Sequence, residues 1–201
     1  MWINGKIYKY TRAPKKGLKV HLGSGYRCYL DGWLNVDANI TAKIDLFANL
    51  AYSLPFHKNS VSALYTFNVL QHLPYSRVEP IFKEIYSCLE PGGYARISVV
   101  NWGNAAIAYT ENRVDWFGVW PLAYESLGGK FVNFLLCAGE VKHGFDFGLL
   151  SELLVRAGFT DITESKPCET PLPDVFGKAV EMEHEGCPDL PHQIVVEVRK
   201  P

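Results

Sequence analysis

Neither sign of charge dominates this chain: 20 lysines and arginines meet 21 aspartates and glutamates, for a net charge of -1 over 201 residues. So balanced a surface offers no long-range field to a polyanion, and nucleic acid is not an expected partner. Long apolar runs are missing as well. The best candidate, residues 97–110, is broken by Asn101, Gly103 and Asn104, which leaves no uncharged stretch of about 18 residues and no expected membrane partner. The Met1 end carries Lys6, Lys9, Arg12, Lys15 and Lys16 without the continuous apolar core of a signal peptide, and reads as a mature start. Cysteine is sparse and odd in number, five residues with no CxxC pair, which excludes a disulfide framework and points to a reducing, cytoplasmic setting. Cys168, His184, Cys187 and His192 fall within 25 residues but match no short zinc-finger spacing, so no metal site is expected.

What the chain does have is a series of apolar runs punctuated by glycine and proline. Residues 18–22 (LKVHL) read as a first strand and 33–36 as a second that closes on Asp37. A short third strand, 43–46, carries Asp45 at its end, and a β-branched and aromatic fourth, 61–67, leads into Asn68. Apolar residues at 78, 81, 82, 85, 86 and 89 give the spacing of an amphipathic helix over 77–89, which Pro91-Gly92-Gly93 stops. A fifth strand follows at 94–100, then a helix at 147–157 capped by Gly158, and last strands at 159–164 and 193–199 joined by a proline-rich connection. This alternation predicts a single domain, 1–201, with a doubly wound, Rossmann-like, mostly parallel α/β sheet of seven strands and an antiparallel last strand.

Two stretches depart from that rhythm. Only ten residues, 23–32, join the first two strands, the lower limit of the roughly 10–12 that a helical crossover needs. The first helix must therefore be very short or irregular, and the N-terminal segment with Trp2, Ile3, Ile7, Tyr8 and Tyr10 is expected to cover the patch of sheet left bare. The second departure, 101–142, is long, irregular and aromatic, with Trp102, Trp116 and Trp120 among its residues. It reads as an insertion over the carboxyl edge of the sheet, either a lid or an accessory core or homodimer face.

An apolar strand that ends in Gly23-Ser24-Gly25 puts a sharp turn where a ligand can approach bare backbone. A carboxylate closing the next strand, Asp37, can then accept from both hydroxyls of a ribose. An adenosine cofactor suits this layout. A nicotinamide dehydrogenase would share both features, but its fingerprint wants a third glycine where this chain has Cys28.

In this order, VHLGSG, GWLNVD, Lys43-Ile44-Asp45-Leu46, SLPFHKNSVSALYTFNVLQHL, CLEPGGYARISVV, HGFD, LLVRAGF and HQIVVEVRK resemble the class I S-adenosylmethionine-dependent methyltransferases, most closely their small type-11-like group. The likeness covers residues 18–100 and 143–200 and matches the aromatic insertion only loosely. It implies S-adenosylmethionine as cofactor, with Gly23, Ser24 and Gly25 at its methionine half, Asp37 on the ribose, Asp45 at the adenine amino group, Leu46 on the adenine face and Asn68 beside the amino acid end. The implied activity is methyl transfer to a small-molecule or glycan-type acceptor by in-line displacement. Where the family usually reads Glu-His-Leu this chain has Gln71-His72-Leu73, and where it often has Pro-Asp this chain has Val100-Asn101. Both changes remove a carboxylate on the acceptor side, so an S-adenosylmethionine-binding partner or regulatory protein without turnover is the alternative reading. No nucleophile motif of the GxSxG kind is present, and a general base matters only where the acceptor must lose a proton. His143, Asn101 and Trp102 are the acceptor-side candidates; His72 is read as a structural histidine at a helix entry.

Overall fold

β-Branched and aromatic residues fill the middle of the sheet in the computed structural model, which describes residues 2–26 and 28–201, with side chains from Gly5 onward. β4 (Val61–Phe67) lies between β1 (Leu18–Leu22) and β5 (Leu89–Val100). Beyond β1 come β2 (Leu34–Asp37) and β3 (Leu46–Phe47); beyond β5 come β7 (Gln193–Arg199) and then β6 (Asp161–Ser165). Strands β1 to β5 pair in parallel and β7 is antiparallel to both its neighbours, the predicted seven-stranded, mostly parallel α/β sheet.

Several predicted boundaries differ by a few residues, the second strand lying at 34–37, the helix at 75–88 and the sixth strand at 161–165, and two differences have a clear local reason. Pro91-Gly92-Gly93 does not stop the helix, which ends at Cys88; it sits inside β5, where the pairing with β4 slips between Val61 and Ala63. A Cβ on Gly93 would stand 3.0 Å from the carbonyls of Glu90 and Val61, so glycine lets the irregular strand lie close. The third strand is 46–47 and not 43–46. Asp45 accepts the N–H of Asn35 on its carboxylate at 2.8 Å, taking a donor that a strand carbonyl would use, and ladder pairing starts at Leu46.

One face of the sheet packs on α2 (Tyr75–Cys88) and α5 (Phe147–Ala157). Ile81, Phe82 and Ile85 of α2 and Leu150 and Leu154 of α5 meet Val20, Leu22, Leu64, Ile97 and Val196 in one cluster. Each such side chain contributes about 2 kcal/mol on leaving water. The side chain of Asp146 caps α5 by accepting the N–H of Leu149, and Gly158, at φ 113°, ends it.

The short crossover shapes the other face. No helix follows the glycine turn among the described residues. The buried amide of Asn35 supplies the missing bonds: Oδ1 accepts from Leu30 N–H at 2.8 Å, and Nδ2 donates to the carbonyls of Leu30 and Trp33 at 3.1 and 2.9 Å. Cover arrives from far along the chain. The proline-rich connection contains a helix that was not predicted, α6 (Pro173–Val180), with proline at its first position, where a missing N–H costs nothing. Phe176 and Ala179 of α6 pack with Leu30, Trp33, Ala63 and Tyr65. Beside them the fully buried Arg96 of β5 is held twice by Glu183, at 2.8 and 2.7 Å, and once by Glu197 of β7 at 2.5 Å.

The N-terminal segment therefore does not serve the purpose expected of it. It forms α1 (Trp2–Thr11), which lays Tyr8 on the main core and Gly5 against Pro55, while Ile7 and Tyr10 are exposed. The side chains of Trp2 and Ile3 lie outside the described residues. No helix among those residues is long and apolar enough to cross a membrane.

Removing Glu183 strands a buried guanidinium, so Glu183→Ala is expected to cost about 3 kcal/mol, read as a lower urea midpoint at unchanged slope. A second expectation concerns pH. Burial drives the imidazole of His21 down to about 4, against the opposing pull of Asn35 and Asp37, so the folded ring is neutral. The unfolded chain takes up that proton below about pH 6.5, so stability is full above this pH and falls by about 3 kcal/mol as the pH drops to 4. Denaturant titrations from pH 7 to pH 4 measure this, and His21→Asn should flatten the profile.

Candidate functional site

The turn after β1 holds its shape through two glycines with different duties. Gly23, at φ 72°, has no room for a side chain, since a Cβ there would stand 2.2 Å from a methyl of Val69 just beyond β4. Gly25, at φ 56°, faces open space. Its N–H donates to Asp37 Oδ2 at 2.9 Å, and the N–H of Asn39 donates to Oδ1 at 2.7 Å. The carboxylate at the end of β2 is thereby fixed beside an uncluttered stretch of backbone.

Two further groups converge on this edge. Ser24 is buried, and its hydroxyl has no partner within the protein. Asn68 follows β4 in a left-handed conformation, φ 54°; its N–H donates to the carbonyl of Ser98, and its buried Oδ1 is unpartnered. A buried polar atom without a protein partner carries a penalty of about 1–3 kcal/mol, which a ligand can relieve. Gly23, Ser24, Gly25, Asp37 and Asn68 thus gather at the carboxyl ends of β1, β2 and β4, the edge where open α/β sheets bind ligands.

Asp45 and Leu46 do not join them. Asp45 stands before β3, on the amino side, and its carboxylate is taken up by Asn35 and by the hydroxyl of Tyr29 at 2.9 Å. Desolvation opposes its ionisation, but these bonds and nearby Lys43 outweigh that and hold its carboxyl below the ordinary range. Leu46 is buried in the main core. The first polar residue past the carboxyl end of β3, two positions on, is Asn49, half-buried, whose Oδ1 accepts from Ala51 N–H at 2.8 Å. It borders a small cavity of about 130 Å³ between α1 and the 48–55 loop. A two-residue strand leaves too little pattern to find it; fixing that strand at Leu46-Phe47 would have moved attention from Asp45 to Asn49.

The acceptor-side candidates are engaged in structure. His143 points Nε2 at the carbonyl of Leu70, 3.1 Å away, and so donates there; burial lowers its pKa. It lines a cavity of about 410 Å³ between α2 and α5. Asn101 caps α3 (Trp102–Thr110) by accepting the N–H of Asn104 at 2.9 Å. Trp102 lies against Gly144 so closely that a Cβ there would be 1.8 Å from its ring, and its buried Nε1 is unpartnered. Gln71 is buried with Oε1 unpartnered, whereas the exposed His72 reaches the carbonyl of Glu140 at 3.1 Å. A second cavity, about 520 Å³, opens by the carboxyl ends of β5 and β6, lined by Asn101, Asn104, Asp146, Ser165 and Gln193.

The aromatic segment builds its own small core. Ala105 and Ala108 of α3 pack with Trp116, Phe117 and Leu190, joined by Phe131 and Phe134 of α4 (Leu127–Leu136). Trp116 is buried, whereas Trp120 is 76% exposed. His192 ties this core to the sheet, stacked on Trp116 at 4.2 Å and placed between Glu185, at 2.6 Å, and the carbonyl of Trp116, at 2.7 Å. Among the described residues no group of three or more His, Cys, Asp or Glu side chains is gathered to hold a metal ion.

Comparison with known proteins fits this geometry. Residues 32–97 match the family model described as a methyltransferase domain. No significant match is found among curated proteins. Among solved structures, an S-adenosylmethionine-dependent methyltransferase from Mesorhizobium loti superposes with a TM-score of 0.53 at 19% identity, covering 92% of each chain. One from Archaeoglobus fulgidus gives 0.58 at 14% identity, over 99% of this chain and 93% of that one. Phosphoethanolamine N-methyltransferase 2 of Haemonchus contortus, solved with S-adenosyl-L-methionine, gives 0.56 at 13% identity, over all of this chain and 53% of that one. The fold is that of the class I S-adenosylmethionine-dependent methyltransferases. The matched segment, about a third of the chain, is similar to a methyltransferase domain and spans β2 to most of β5.

Gly144→Ala should force Trp102 from its seat and lower stability by about 3 kcal/mol. Gly23→Ala combines a left-handed backbone with the Val69 clash and should cost at least about 2 kcal/mol. Thermal unfolding of both variants checks this.

Proposed function

We propose that Gly23, Ser24, Gly25, Asp37 and Asn68 hold S-adenosylmethionine and that the methyl passes to a small-molecule or glycan-type acceptor. The observation that carries the reading is Asp37 beside Gly25. Each carboxylate oxygen has accepted one backbone N–H, and a carboxylate offers about four lone-pair sites, so room is left for both hydroxyls of a ribose. The open side of Gly25 lets a ligand lie on the backbone, while Ser24 Oγ and Asn68 Oδ1 supply polar contacts for an amino acid end. Asn49 replaces Asp45 in this proposal as the polar residue at the adenine end, because it follows β3.

When bound, S-adenosylmethionine supplies a methyl group already activated by its sulfonium. The protein then has mainly to align the acceptor and exclude water. His143 donates from Nε2 to Leu70 with the backbone of Gly144 also bonded to its ring, and Asn101 is a non-basic amide spent on a helix cap, so neither stands ready as a general base in this arrangement. This favours an acceptor atom that is nucleophilic without losing a proton, an amine or thiolate on the small molecule or sugar. We place the acceptor by the polar cleft near Asn101, Asn104 and Gln193, with the 101–142 segment as its cover. The same two committed side chains favour the second reading, a cofactor-binding partner without turnover.

A thermal shift screen tests the site. At a hundredfold excess over its dissociation constant, S-adenosylhomocysteine should add about 2.7 kcal/mol and raise the midpoint by roughly 5–10 °C, whereas NAD should not. Asp37→Ala should abolish the shift while folding normally, and an undiminished shift in that variant would overturn the assignment. Release of S-adenosylhomocysteine with amine and hydroxyl acceptors separates turnover from binding alone. Trp120→Ala, which removes an exposed ring, should leave the unfolding midpoint in place; lost turnover in that variant marks the segment as a lid.

A further inference from the structure

Asp37 sits inside a closed ring of hydrogen bonds that no helix in this chain could provide. One arm runs from Oδ1 to the N–H of Asn39 at 2.7 Å; Asn39 Oδ1 in turn accepts from the N–H and the hydroxyl of Thr41, at 3.0 and 2.7 Å. The other arm runs from Oδ2 to the N–H of Gly25 at 2.9 Å. The arms meet where the hydroxyl of Tyr26, the next residue, lies 2.5 Å from Thr41 Oγ1. Thr41 has spent its hydroxyl hydrogen on Asn39, so Tyr26 is the donor.

This ring spans two loops, the glycine turn after β1 and the segment after β2. In a longer crossover a helix would carry the backbone away from the turn and hold it by main-chain bonds. Here Tyr26 is 68% exposed, so burial does not explain its place. What its hydroxyl does is tie Gly25 to the far side of Asp37.

We propose that Tyr26 and Thr41 are positioning residues for the cofactor: their bond is a strap that fixes Gly25 and the Asp37 carboxylate at the spacing a ribose diol needs. The inference rests on the proposed cofactor site and adds to it two residues outside the glycine turn and the strand-end acid. Because the strap is exposed, it acts on ligand retention and not on folding.

Calorimetric titration with S-adenosylhomocysteine tests this on the full chain. Tyr26→Phe and Thr41→Val should each weaken binding by about three- to tenfold, the worth of one hydrogen bond. The double variant should be no weaker than either single one, because both break the same bond. Thr41→Ser keeps the hydroxyl and should bind like the parent, and stopped-flow release should quicken in the weakened variants. All four variants should unfold within about 2 °C of the parent, as exposed substitutions do. Unchanged affinity in Tyr26→Phe, or additive losses in the double variant, would overturn the strap while leaving the cofactor site intact. Failure of the parent itself to bind S-adenosylhomocysteine would overturn the site, and the strap with it.

Discussion

A crossover too short to hold a helix is the constraint from which much of this molecule follows. Ten residues between Gly23 and Gly32 must turn the chain, cross over and begin the next strand, and their backbone groups still need partners. One buried side-chain amide, Asn35, meets that need by bonding Leu30 and Trp33 and by facing His21 at 3.2 Å. Asp45 then anchors the same amide from just before β3 at 2.9 Å. A single asparagine thus sets the loop, the start of β2 and the register of β3. Its satisfied bonds explain why a fully buried polar residue is tolerated there.

The same constraint decides what covers the sheet. The face that a crossover helix would have occupied is closed by α6 and by Arg96 bonded to Glu183 and Glu197, groups drawn from β5, the last connection and β7. Buried ion pairs of this kind add little net stability compared with a well-packed apolar equivalent. They do fix one arrangement, since a displaced α6 would leave a charge unpaired. The edge proposed for the cofactor is organised by backbone and small polar groups, and that proposed for the acceptor by side chains already bound to one another. The two proposed sites therefore sit on different kinds of scaffold within one edge.

Legibility from sequence followed the strength of local pattern. β4 and β7 were read to the residue because their β-branched and aromatic runs are long, and α5 because its apolar spacing ends in a glycine cap. The positions of the glycine turn and of Asp37 at the end of β2 were legible since an apolar strand running into two glycines marks a sharp turn. β3 was misplaced because two residues carry no period, and the proposed adenine-side residue shifts with it from Asp45 to Asn49. α6 was hidden by three prolines, although Pro173 is a helix starter when it stands first. The purpose of α1 was inferred from a bare patch at Leu30 and Trp33 whose true cover, Phe176 of α6, lies far along the chain, a distance no local window spans. Side-chain rings such as the one around Asp37 leave no trace in sequence spacing.

The insertion of β7 between β5 and β6 has a consequence for synthesis. As the chain leaves the ribosome, β6 emerges with no neighbour to pair with, and Arg96 waits for carboxylates 87 and 101 positions downstream. The half of the sheet built from β1 to β5 can assemble early, but closure must await the final strand. Contacts of such long separation slow folding. Until translation reaches them, the nascent protein presents an open sheet edge and an uncompensated charge, which makes it a natural client for chaperones.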